Sequence, residues 1–236
     1  MWAARYEQDP TAIDGTIVPA SAWKKYEKGF TSIGDGEVQF KLPPGINNVL
    51  IMWDTAYTVK KRSNPSAATV WGIFPVYDPS SGLRRNCALL IYSFQKKMEF
   101  PELKRKAKEL NNIWQPDLIL IEAKNVGPAL KTELEQSGLM LQQVTPKPNE
   151  DKMSRLVSVS DIFVSGNVYY IPTHDNEKTI SQLADFPGGD GDDLVDTVAY
   201  ALRHYRKLGL IGTNNDYSIQ PGAEQAEQAP DNYAYY

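Results

Sequence analysis

Four carboxylates stand where a folded chain has little reason to put them. Asp54 closes the apolar run Val49-Leu50-Ile51-Met52-Trp53, and Glu122 closes Leu118-Ile119-Leu120-Ile121. Asp193 and Asp196 fall in the first turn of a helix-patterned segment that follows Asp192. A carboxylate almost never stays fully buried without a partner or a metal, and the end of a core strand is the usual place to bring a functional group to the rim of a sheet. Two carboxylates brought close repel unless a proton or cation intervenes. An all-oxygen ligand set suits Mg²⁺ or Mn²⁺ rather than zinc. Two such ions, about 3.5–4 Å apart, activate a water and stabilise the leaving oxygen in phosphodiester cleavage.

Each acid also has an ordinary explanation. Asp54 can open a turn, Glu122 can pair with Lys124, and Asp193 and Asp196 can complement a helix dipole. Asp193 and Asp196 are three residues apart and share a helix face, whereas Asp192 reads as the helix cap. Acids distant in sequence with the same need for a cation favour a site.

The elements that must position them follow from period. Residues 1–47 hold turn signals such as Asp35-Gly36 and Pro43-Pro44-Gly45 and no long periodic segment, so they read as an arm or linker. Val49–Trp53, Ala67–Val76 and Cys87–Phe94 read as three strands in an antiparallel meander, with Asp78-Pro79-Ser80-Ser81-Gly82 as a hairpin turn. Phe100–Trp114 has helical spacing, with Leu103, Ala107 and Leu110 on one face and Pro101 in its first turn. Leu118–Ile121 is a buried strand, Pro128–Gln136 a helix stopped at Gly138, and Leu139–Val144 a fifth strand. Helices follow over Lys152–Val164, Glu177–Leu183 and from Asp192 to about Lys207, with Val168–Ile171 a short extended piece. This order predicts an α/β fold: a mixed five-stranded sheet, three strands antiparallel and then parallel, with helices on both faces. A helical crossover requires the fourth strand to lie parallel to an earlier one. If that is the first strand, Asp54 and Glu122 end side by side.

Composition excludes other chemistries. The single cysteine, Cys87, rules out an internal disulfide, argues against a cysteine-built zinc site, and reads as an inert thiol in a strand. His174 and His204 have no nucleophile motif near them, and neither a Gly-x-Ser-x-Gly elbow nor a phosphate loop of the Gly-x4-Gly-Lys-Ser/Thr kind occurs. No membrane-length apolar run and no signal-peptide core appear. The net charge of −4 equals the four acids after Gly212, so residues 1–211 are neutral overall while Lys60-Lys61-Arg62, Arg84-Arg85, Lys96-Lys97 and Lys104–Lys108 form basic patches able to meet phosphates. The polar segment 212–236 reads as a disordered acidic tail.

At this point a resemblance emerges. Val49–Thr55, Leu118–Glu122 and Asp192–Ala199 resemble the three acidic motifs of the nuclease domain of the terminase large subunit of tailed bacteriophages, an RNase H-like fold related to RuvC resolvases. Trp2–Pro10, followed by Trp23, resembles the segment joining that family's ATPase domain to its nuclease, and Asp151–Arg155 with Gly166-Asn167-Val168 and Pro172 resembles the stretch before the last motif. The similarity spans roughly residues 1 to 205; the order and spacing of the motifs are more specific than any one of them.

The resemblance implies a Mg²⁺- or Mn²⁺-dependent endonuclease, with two ions, that cuts concatemeric double-stranded phage DNA during genome packaging. Asp54 and Glu122 would be ligands on central strands, with Asp193 or Asp196 completing the set; Lys152, Arg155 and the Lys60–Arg62 turn would contact DNA phosphates. It also implies a portal protein, a small terminase subunit and an ATPase domain as partners, and the host cytoplasm, transiently at the procapsid portal, as the place of action. The chain lacks ATPase motifs and so looks like a fragment, residues 1–47 being the arm from a missing ATPase domain and residues 48–211 the nuclease. Alternatives are a RuvC-like junction resolvase, which would prefer branched DNA, and a non-catalytic docking module of the same fold.

Overall fold

A computed structural model describes residues 16–27, 30–34, 37–56, 65–77, 82, 84–124, 127–189 and 191–213. In chain order a 3₁₀ turn (Ala20–Ala22) is followed by β1 (Lys24–Lys25), β2 (Phe30–Gly34), β3 (Glu37–Phe40), β4 (Asn47–Asp54), β5 (Ser66–Tyr77) and β6 (Arg84–Lys96). Then come α1 (Phe100–Trp114), β7 (Leu118–Glu122), α2 (Gly127–Glu135), β8 (Leu141–Val144), α3 (Lys152–Val164), β9 (Val168–Tyr170), α4 (His174–Asp185) and α5 (Asp193–Lys207).

The main sheet has seven strands in the order β1-β9-β6-β5-β4-β7-β8. The five strands expected from the sequence are its contiguous body: β4, β5 and β6 form the antiparallel meander, and β7 and β8 add in parallel beside β4. The two extra strands are two and three residues long and extend the sheet in parallel beyond β6. β2 and β3 form a separate antiparallel hairpin that the turn signals did not reveal.

Period-two alternation sorts β4 onto two cores. Leu50 and Met52 face one layer with α3, α4 and α5; Ile51 and Trp53 face the other with α1 and α2. Both faces of the strand are thus covered, which is why it is apolar without interruption. β7 repeats the pattern, with Leu120 in the first layer and Ile119 and Ile121 in the second.

Residues expected to belong to an arm are stitched into this core. Val18, Trp23 and Tyr26 are buried. The Trp23 ring lies 4.9 Å from Phe163, 6.1 Å from Tyr170 and 6.2 Å from Trp71, centroid to centroid. The short strand β1 carries no apolar alternation of its own, so its role is set by tertiary contact rather than by local pattern.

Helix ends explain the remaining differences. Asp151 caps α3 by accepting from the Ser154 amide at 2.7 Å. Thr173 caps α4 by accepting from the Asn176 amide at 3.3 Å, which starts that helix at His174 rather than at Glu177. Asp192 occupies the position before α5, yet its carboxylate makes no capping bond and reaches Lys152 Nζ at 3.0 Å instead. Gly138, the expected helix stop, and Gly166, just after α3, take the left-handed conformation at φ 79° and 66°. Cys87 is buried, and burial pushes its thiol up to about 11, as an inert core thiol requires. Among the described residues no helix is long and apolar enough to cross a membrane. The turn Lys60–Arg62, Asp78–Ser81 of the hairpin turn, the segment Trp2–Pro10 and the tail beyond Thr213 lie outside the described residues.

Candidate active site

The site forms where three elements end together. β4 and β7 run parallel with Trp53 opposite Ile121, so the next residues, Asp54 and Glu122, emerge side by side at the carboxyl edge of the sheet. α5 lies across β4 and β5 in the opposite sense to β4. At its far end the Tyr205 hydroxyl donates to the Asn48 carbonyl at 2.6 Å, near the start of β4. Its first turn therefore falls over the end of β4, where the acids are. Leu194, Val195, Val198 and Leu202, all buried, hold the helix in that position.

Asp54 reports how crowded this edge is. Burial first, then the charge of Glu122, a hydrogen bond with Glu122 and the charge of Asp196 push its carboxyl up to about 8, with Lys152 pulling the other way. Asp54 is thereby favoured in its protonated form at neutral pH, hydrogen-bonded to Glu122. Glu122 is 3% exposed. Its Oε1 lies 3.1 Å from Lys124 Nζ, but no aligned hydrogen bond reaches that oxygen. Lys124 is itself half exposed, so it is a weak counter-charge.

The two α5 carboxylates have protein partners. Asp196, 2% exposed, receives Arg155 Nε and Nη2 on Oδ1, each at 2.8 Å, and Lys152 Nζ at 3.3 Å from Oδ2. Asp193 accepts from Gln95 Nε2 at 2.8 Å. Burial raises the Asp193 carboxyl against the lowering effects of Gln95 and Lys152. Burial alone would lower Lys152, but Asp196 and Asp192 outweigh it and raise its affinity for a proton.

The structure therefore brings Asp54, Glu122 and Asp196 within electrostatic reach of one another and sets Asp193 one helical turn away from Asp196. Lys152 lies at the same edge. Arg155 is buried on Asp196, with its remaining Nη1 donating to the Glu150 carbonyl at 2.9 Å. In this arrangement its guanidinium serves a carboxylate rather than a phosphate.

Two kinds of residue escaped the sequence reading. Gln95 lies one position past the expected end of the third strand; β6 in fact continues through Lys96 and carries it to Asp193. Tyr200 follows Asp196 by four residues, a spacing that places both on one helix face. Its ring lies 5.4 Å from the Arg155 guanidinium carbon, and its buried hydroxyl has no hydrogen-bond partner among the described residues. That spacing was the available signal for Tyr200; the Gln95 contact links residues 98 positions apart, and no local pattern announces it.

The donor set fits a hard divalent cation in part. It is all oxygen, and the raised Asp54 carboxyl beside Glu122 shows that Lys124 and Lys152 do not fully offset the crowded negative charge. A third ligand is not free, because both α5 acids are engaged; among the described residues no three His, Cys, Asp or Glu side chains stand ready to hold a metal ion.

With this geometry in place, the comparisons with known proteins fall in line. The Terminase RNaseH-like domain matches residues 51–204, and the chain belongs to that family. The match runs from the middle of β4 to the last turn of α5 and so includes all four acids. The fold is similar to the large terminase nuclease from thermophilic phage G20c with bound magnesium, at 15% identity and TM-score 0.53, covering 80% of this chain and 96% of that one. The same nuclease with bound zinc aligns at 16% identity and TM-score 0.52, covering 79% and 96%. The large terminase nuclease domain of Thermus phage P74-26 aligns at 14% identity and TM-score 0.52, covering 80% and 92%. No curated protein matches the chain.

Proposed function

We propose that the chain is a divalent-metal-dependent endonuclease that cuts concatemeric double-stranded phage DNA during genome packaging. The observation that carries this reading is the Asp54–Glu122 pair, two carboxylates brought together at the ends of adjacent parallel strands, where Asp54 is pushed up to about 8 despite nearby lysines. Membership of the terminase family and a fold shared with phage nucleases crystallised with magnesium and zinc support it.

Asp54 and Glu122 would hold Mg²⁺ or Mn²⁺, with Asp193 or Asp196 completing the ligand set, and two ions bound there supply an activated water and a stabilised leaving oxygen. The chain's own residues do the rest. Asp54 gives up the proton it shares with Glu122. Rigid α5 carries Asp193 and Asp196 to the same edge. Release of Asp196 from Arg155 turns it from an ion-pair partner into a ligand. Lys152, a partly exposed base touching Asp196, would meet a phosphate oxygen, and Lys60, Lys61 and Arg62 remain proposed phosphate contacts. Residues 48–211 are the proposed catalytic unit, together with the packed segment from Val18 to Tyr26. Portal protein, small terminase subunit and an ATPase domain are the partners this reading implies, in the host cytoplasm at the procapsid.

The test is a Mn²⁺ and Mg²⁺ titration with supercoiled plasmid. Nicking or linearisation that EDTA abolishes and Asp54→Ala removes is the expected result. Cutting that survives Asp54→Ala defeats the site assignment. A preference for four-way junctions over linear duplex would transfer the chain to the resolvase reading. A second reading has its own observation: both α5 acids are satisfied by protein partners, as in a non-catalytic docking module, and no cutting under either metal would favour it.

A further inference from the structure

Beside the carboxylate edge lies an open groove of about 510 Å³ that shares only Asp193 with the proposed ligand set. It is lined by the end of β6, the outer face of α4 and the start of α5, where Asp193 belongs to the lining. Lys96 and Lys97 stand on one side and Lys178 on the other, all three exposed. Lys96 is held by Glu102 at 2.8 Å, but both partners are solvent-exposed, so the pair is weak and exchangeable. Asp185 and Asp193 also line the groove, so its three lysines face two lining carboxylates and the exposed Glu102.

The lining around Asp193 is built rather than incidental. Gln182 Nε2 donates to Gln95 Oε1 at 2.9 Å, and Gln95 Nε2 donates to Asp193 Oδ2 at 2.8 Å. Gln182 Oε1 in turn accepts from the Leu194 amide at 3.3 Å. This ring of bonds ties β6, α4 and the first turn of α5 together and fixes the Asp193 carboxylate where groove and carboxylate edge meet. At Gly191 an added Cβ would lie 3.0 Å from Gln182 Nε2, so the loop packs closely against this amide.

We infer that this groove binds the sugar-phosphate backbone of a DNA strand, with Lys97 and Lys178 as phosphate contacts and Asp193 marking the place from which the strand passes to the carboxylates. The inference rests on the nuclease reading for the fate of the strand, but strand binding is measured separately from cleavage. A polar, open channel with lysines on both banks suits a flexible polyanion better than a small ligand, which wants an enclosed apolar pocket. Lysines so placed would position the backbone without reading sequence.

The experiment is fluorescence anisotropy of a labelled duplex with the full chain in EDTA, over a series of salt concentrations. Lys178→Glu and Lys97→Glu/Lys178→Glu are compared with Lys207→Glu, which makes the same charge change as the single variant at the opposite end of α5. Thermal unfolding of each variant is recorded to confirm that it folds. The expected result is an affinity loss of about three- to fivefold for each groove lysine, a salt dependence shallower by about one unit per lysine, and little change for Lys207→Glu. Groove variants that bind like Lys207→Glu, or a wild-type chain with no affinity for duplex, overturn the inference. Wild-type binding that is lost in the groove variants, with no metal-dependent cutting by any of them, would leave the groove assignment standing and remove the nuclease reading.

Discussion

Arg155 and Asp196, 41 residues apart, form a buried two-nitrogen ion pair: Nε and Nη2 both reach Oδ1 at 2.8 Å, with each side chain at most 3% exposed. The pair joins α3 to α5 directly above the Asp54–Glu122 edge. Breaking it from one side strands a charge in the interior, a loss of about 3–5 kcal/mol. Arg155→Met should therefore lower stability by that order in urea unfolding, and adding Asp196→Asn should return much of the loss. If the double variant is no more stable than Arg155→Met, the pair is not what holds the two helices.

The raised Asp54 carboxyl has a definite sign in pH. In the unfolded chain the group ionises near its ordinary 3.8, and in the folded protein near 8. Between these values the folded state keeps a proton that the unfolded state releases, so stability falls as pH rises. The contribution is fully present below pH 4 and lost by pH 8, with a magnitude on the order of a few kcal/mol. Thermal melts in EDTA should show Asp54→Asn gaining on the wild type across this window. Divalent metal binding, which must displace the same proton, should tighten with pH up to about 8. Parallel melting curves for wild type and Asp54→Asn would remove the shared proton from the account.

Gln95 orients Asp193 from a strand on the other side of the groove. Losing such an outer-shell partner costs metal sites about 10–100-fold in affinity or activity. Gln95→Leu should weaken Mn²⁺ binding, read by calorimetry, by that order while leaving the fold intact, and Gln95→Glu should not restore it because it adds a repelling charge. Unchanged Mn²⁺ affinity in Gln95→Leu would mean that Asp193 is not a ligand.

Trp23 tests whether the segment ahead of the first long strand belongs to the domain. It is 5% exposed and packs on three aromatic rings, so Trp23→Ala should cost about 3–5 kcal/mol in chemical unfolding. A loss under 1 kcal/mol would return residues 16–27 to the status of an arm.

The body of the fold was legible because its elements obey local rules. Phe100–Trp114 carries its own helical period and Pro128–Gln136 its own stop at Gly138, and β4 and β7 carry unbroken apolar runs that burial on both faces explains. The positions of Asp54 and Glu122 followed from those strands, once parallel pairing was required by the crossover. What stayed hidden depends on distant partners. β1 is two residues long and exists because β9 is beside it. Arg155 looks like a surface base in sequence, and only the approach of α5 makes it a buried counter-charge. Asp192 looks like a cap, yet Lys152 offers it a stronger partner than a backbone amide. Choosing between Asp193 and Asp196 fails for the same reason: both share a helix face, and what separates them is Gln95 on one side and Arg155 on the other.

The central claim is that Asp54 and Glu122 share a divalent cation, and anomalous scattering from crystals soaked in Mn²⁺ tests it directly. The account predicts a peak within ligand distance of both carboxylates, with an α5 acid turned toward it. A fully occupied peak elsewhere, or none at this edge at saturating Mn²⁺, would contradict it.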